Sequence, residues 1–118
     1  MTEKIIYDFG SSNGDDIPYY LLKAEKVVAV EANPSLAREI EKRFSSEVSQ
    51  GKLMIENCVL TVNHSLKTVP FYIHKTSHVL SQFPKPLQHS QEYNEVLLPA
   101  KNVVEIIKKH GNPYYIKI

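Results

Sequence analysis

Two rhythms of apolar residues alternate along the first half of this chain. Short, nearly unbroken runs (Lys4 to Phe9, Lys26 to Glu31, Leu53 to Leu60) are bounded by turn-forming and charged residues. Runs of that length predict strands buried on both faces, as in a parallel sheet. Between them the apolar positions recur every three or four residues: Ile17, Tyr20, Leu21 and Ala24, then Leu36, Ile40, Phe44 and Val48. That spacing predicts two amphipathic helices. Asp15 or Asp16 caps the first and Pro18 sits in its opening turn, while Asn33-Pro34 opens the second and Gly51 stops it. Strands and helices in alternation predict an α/β fold in three layers, with a mainly parallel sheet between helices.

The pattern changes in the second half. Thr68 to His74 reads as another strand, and residues 75–95 form a polar stretch holding Pro84 and Pro86. Some twenty residues of loop inside a small domain is more often a lid or binding segment than filler. Glu95 to Leu98 reads as a short strand returning to pair with residues 69–73. Asn102 then opens a last helix in which Val103, Ile106, Ile107 and His110 share a face. Lys108, Lys109 and His110 complement its negative end, and Gly111 and Pro113 end it. Tyr114 to Ile118 reads as a final strand, expected beside the first in the order 3-2-1-4. This sheet-forming run ceases abruptly, which suggests a fragment of something longer.

Composition narrows the function only by exclusion. At 118 residues the chain is one domain, and its 42% hydrophobic and 23% charged content is that of an ordinary globular protein. A net charge of +1 gives no basic field for nucleic acid. The lone Cys58 cannot form an internal disulfide, and no apolar run approaches the roughly 20 residues that a membrane span needs. A cytoplasmic location is expected, with no nucleic-acid or membrane partner.

The chemistry concentrates where the first strand ends, in Asp8-Phe9-Gly10-Ser11-Ser12-Asn13-Gly14-Asp15-Asp16. Gly10 and Gly14, four apart, permit positive φ and remove the Cβ atoms that would hold a ligand off the backbone. The dinucleotide fingerprint has three glycines, and the middle one, which lets backbone touch a pyrophosphate, is missing here. Asp8, Asp15, Asp16 and Glu31 surround the loop, and no Lys or Arg occurs from Phe9 to Leu22. Such a cluster repels a pyrophosphate and suits a ligand carrying a sulfonium and an ammonium, which points to S-adenosylmethionine. Glu31 stands 17 residues after Gly14, where the second strand meets the ligand crevice of a doubly wound sheet. A carboxylate there can accept from both ribose hydroxyls. Asp8 is either a ligand to the cofactor's amino group or an anchor for the loop. Asp15 and Asp16 are helix-capping residues first.

At these residues the chain resembles the class I S-adenosylmethionine-dependent methyltransferases, and more narrowly the FkbM-type family. The segment from Asp8 to Asp16 and Val28-Ala29-Val30-Glu31-Ala32-Asn33-Pro34 carry most of the likeness. Phe71-Tyr72-Ile73-His74-Lys75 and Tyr115-Ile116-Lys117-Ile118 follow in the family's order. The resemblance implies a Rossmann-like class I methyltransferase sheet cut off after its fourth parallel strand, in one cofactor-binding domain over residues 1–118. It implies that Gly10, Ser11, Gly14, Glu31 and Ala32 line S-adenosylmethionine, with Ser12 and Asn13 in the same loop and Asn57 and Cys58 near the adenine. Ser12 departs from the family's usual asparagine. Members continue Ile-Lys-Ile into Asp-x-Glu-Gly, whereas this sequence ends at Ile118. They methylate hydroxyl groups of varied small molecules, sugars and polyketides among them, so the acceptor is left open.

Other residues carry weaker chemistry. His74 and His78, with His64 and His89 nearby, lie on strand end and loop, where spacing by four does not favour a metal. His74 or His78 as a general base stays conceivable, and no catalytic residue is assigned. Tyr19-Tyr20 and Tyr114-Tyr115 are expected to pack at the core edge with one of each pair exposed. The rival readings are a nicotinamide-dependent Rossmann domain and a truncated, non-catalytic module. The latter would bind a partner or self-associate through an open edge along the fourth strand.

Overall fold

The computed structural model describes residues 3–63, 65–77, 81 and 85–118. The chain runs β1 (Ile5–Phe9), α1 (Ile17–Lys23), β2 (Lys26–Val30), α2 (Pro34–Arg43), α3 (Ser45–Ser49), β3 (Leu53–Glu56), β4 (Val59–Thr61), β5 (Thr68–His74), β6 (Tyr93–Asn102), α4 (Val103–His110) and β7 (Tyr115–Lys117). Four strands pair in the order β3-β2-β1-β7, all parallel, which is the expected arrangement.

The central strand β2 shows why its sequence is apolar throughout. Val27 and Ala29 pack with Ile17 of α1 and with Ile40 and Phe44 on one face. Val28 and Val30 turn to the other face, against Ile5, Tyr7 and Ile106 of α4. Val27, Val28 and Ala29 have no exposed surface. At about 25 cal/mol per Å2 of apolar area removed from water, each valine contributes roughly 1.5–3 kcal/mol. Alternate side chains of one strand therefore serve two helical layers at once.

Three expectations change. The run Leu53 to Leu60 is two strands: β3 pairs with β2, while β4 leaves the sheet after Asn57-Cys58 and pairs with β6. The second helix breaks at Phe44, whose φ of −115° and ψ of 34° end α2 and start α3. The returning strand is longer than predicted, because β6 pairs antiparallel with all of β5, from Thr68↔Pro99 to His74↔Tyr93. β5 is an edge in the sheet order β4-β6-β5, where Pro70 is tolerated.

Val59, Val69, Phe71 and Leu98 form a third core between this small sheet and Ala32. His64, His78 and Pro84 lie outside the described residues, as does part of the expected lid. Among the described residues no helix is long and apolar enough to cross a membrane.

Candidate functional site

The loop after β1 is shaped by its backbone. Gly10 N and Ser11 N both donate to Val30 O, at 2.8 and 3.2 Å, and fold the loop over the end of β2. Gly14 N then closes a turn onto Ser11 O at 2.9 Å. Three residues take the left-handed region: Gly10 at φ 80°, Ser12 at 55° and Gly14 at 84°. The two glycines serve different ends. A Cβ on Gly10 would meet nothing within 4 Å, whereas one on Gly14 would press on Phe44, Ile40 and Ile17 at 3.1–3.3 Å. Gly14 is thus a close-packing position between loop and α2, and Gly10 is the open one.

Glu31, buried just beyond β2, is the hinge of the site. Ser12 N donates to its Oε1 at 2.7 Å and Asn33 N to its Oε2 at 2.8 Å. Each carboxylate oxygen has two lone-pair directions, so each keeps one for a further donor. Burial pushes the Glu31 carboxyl above its ordinary pKa, and the bonds from Asn33 and Ser12 oppose that rise. Asn57 braces the same turn, donating from Nδ2 to Glu31 O at 2.8 Å and to Ala32 O at 3.0 Å. Its side chain is a strut behind the acid and does not line the cleft.

Beside Glu31 opens a cleft of about 400 Å3, walled by Gly10, Ser12, Ala32 and Cys58 together with the apolar Leu36, Val59, Leu60 and Phe71. Of the loop and strand-end residues singled out from the sequence, Gly10, Ser12, Glu31, Ala32 and Cys58 line it. Ser11 is buried and donates to Asp8 O at 2.9 Å, and Asn13 is exposed and bonded to Asp15. The apolar wall was not anticipated. Leu36 belongs to a helical stripe and Phe71 to a strand, and nothing in their spacing separates a cleft wall from core. Burial pushes the Cys58 thiol up to about 11, which leaves it a neutral wall residue at physiological pH.

The uncompensated acid cluster is corrected by the tertiary structure. Lys117 of β7 places its Nζ 3.2 Å from Asp8 Oδ1 and donates to Gly10 O at 3.1 Å. Asp8 Oδ1 is buried and accepts no hydrogen bond of good geometry, so the lysine meets it by charge alone. Arg43 pairs with Asp15 at 2.9 Å and holds that carboxyl below its usual range. One of the two acids stands at the start of α1 as expected, but neither makes a side-chain cap bond there. Asp16 occupies the cap position of α1 without a side-chain bond, and Asn13 Oδ1 accepts from Asp15 N at 3.1 Å instead.

His74 is fully employed. Its Nδ1 accepts from Thr76 N at 3.2 Å and Ser77 N at 3.0 Å, and its Nε2 faces Glu92 at 3.3 Å. That pattern fixes the proton on Nε2 and leaves no nitrogen for a substrate. Among the described residues no group of three His, Cys, Asp or Glu could hold a metal. Both Tyr114 and Tyr115 are exposed, against the expectation that one of them would pack inside, while Tyr20 is half-buried beside an exposed Tyr19.

No protein-family model, curated protein or solved structure matches this chain.

Proposed function

We propose that this chain is the cofactor-binding part of a class I, FkbM-type methyltransferase, and that it serves transfer of a methyl group from S-adenosylmethionine to a hydroxyl of a small molecule or sugar. The observation that carries the reading is Glu31. Two backbone N–H groups hold its carboxylate at the mouth of an apolar cleft, with one free acceptor direction on each oxygen. A ribose presents two adjacent hydroxyl donors, and Leu36, Val59, Leu60 and Phe71 offer a purine an apolar wall. Asp8 does not line the cleft, and its buried carboxylate, met by the charge of Lys117, anchors the loop.

The cofactor supplies a methyl group already attached to its leaving sulfur. The chain's part is therefore alignment and the exclusion of water. Gly10 keeps the loop backbone bare on the cleft side, and Glu31 fixes the sugar. Calorimetry with S-adenosylhomocysteine and with NAD tests this. Binding of the former, weakened tenfold or more in Glu31→Gln, is expected from charge-assisted bonds of about 1.5–3 kcal/mol each. Preference for NAD would transfer the reading to a nicotinamide-dependent Rossmann domain.

A further inference from the structure

Ser81 lines the same cleft and takes no part in holding Glu31. It stands on the side built by the small sheet, where the other described wall residues are the apolar Val59 and Leu60 of β4 and Phe71 of β5. β5 is an edge strand, and the N–H of its last residue, His74, donates to Ser81 Oγ at 3.1 Å. His74 is itself fixed, since its Nδ1 accepts from Thr76 N and Ser77 N and its Nε2 faces Glu92. Its backbone pairs with Tyr93 across the hairpin. The oxygen of the half-buried serine is thus pinned to the end of a paired strand, beside the apolar wall.

A serine hydroxyl carries one proton and two acceptor directions. The His74 N–H takes one of those directions, and among the described residues no acceptor receives the proton. A donor kept partly from water gains most from a ligand acceptor that reaches it. The ribose hydroxyls of S-adenosylmethionine act as donors to Glu31, whereas a purine against Phe71 presents ring nitrogens, which accept. We infer that Ser81 is a specificity-determining residue of this cleft, donating its hydroxyl proton to a ring nitrogen of the adenine. This role rests on the proposed binding of S-adenosylmethionine and adds the group that distinguishes adenine from a plain apolar ring. A base with C–H at that position leaves the hydroxyl unpaired and is penalised for it.

Calorimetry with S-adenosylhomocysteine and its 1-deaza, 3-deaza and 7-deaza analogues, each with one ring nitrogen replaced by C–H, tests this on the unaltered chain and on Ser81→Ala. Ser81→Ala should weaken S-adenosylhomocysteine about fivefold. One analogue should bind the unaltered chain weaker by the same factor and lose nothing more in Ser81→Ala, while the other two still lose it. A serine that only ties down the end of β5 would instead weaken all four ligands alike, and that result would overturn the inference. So would three analogues that bind the unaltered chain like the parent compound, a comparison that needs no variant. Glu31→Gln separates the two claims. If it abolishes binding while the serine shows no such selectivity, the ribose assignment stands and the role of Ser81 falls. If none of the four ligands binds the unaltered chain, both fall together.

Discussion

Glu56 offers a prediction whose size can be worked from its surroundings. Its side chain is buried at the end of β3 and accepts from Lys101 Nζ at 2.6 Å, His110 Nε2 at 2.6 Å and Lys109 Nζ at 2.9 Å. Three donors from β6 and α4 thus converge on one carboxylate of the edge strand. Burial alone would push its pKa up, but the bonds from Lys101, His110 and Lys109 outweigh it and hold the group at about 2, against an ordinary 4.5. A difference of that size corresponds to about 3 kcal/mol at 1.36 kcal/mol per pH unit. Lys101 and Lys109 are 43% and 63% exposed, so water screens part of it, and about 2 kcal/mol is the expected share.

Because the folded pKa is depressed, the stabilisation is complete above pH 4.5 and is lost as pH falls towards 2. Glu56→Gln keeps the shape and removes the charge. Urea unfolding at pH 7 should show the variant less stable by about 2 kcal/mol, and between pH 5 and 2 the unaltered protein should lose that advantage. Parallel acid curves for the two proteins would refute the reasoning.

Gly14→Ala combines a left-handed φ of 84° with a Cβ 3.1 Å from Phe44, so it should cost about 2–4 kcal/mol in urea unfolding; a change under 0.5 kcal/mol would contradict that packing. Tyr7→Phe removes the bond from the buried Tyr7 hydroxyl to Gly111 O, which ties β1 to the end of α4. It should lower stability by about 1 kcal/mol while leaving ligand affinity unchanged, and a loss of affinity would show that α4 reaches the cleft.

The legible parts of this molecule are those that local pattern encodes. β1 and β2 announce themselves because both faces are buried, and Asn33 caps α2 through a bond to Ser35 N at 3.0 Å that its place before a proline foretells. The break at Phe44 is silent because Leu36, Ile40, Phe44 and Val48 stay on the core side across it. The change of sheet at Asn57-Cys58 is silent for a similar reason, since Leu53 to Ile55 before it and Val59 and Leu60 after it are apolar whichever sheet they join. Lys117 lies more than a hundred positions from Asp8, and nothing local to the glycine loop reveals the pair. Glu31 was visible as an acid at a strand end. Its two backbone bonds depend on how the loop folds back, which spacing does not fix.

The proposed function stands on the Glu31 carboxylate receiving a ribose at the mouth of this cleft. A crystal structure of the chain with S-adenosylhomocysteine tests it most directly. Both ribose hydroxyls are expected within hydrogen-bond distance of Glu31 Oε1 and Oε2, with the adenine against Leu36 and Phe71. A nucleoside bound elsewhere, or a cleft left empty at saturating ligand, would contradict it.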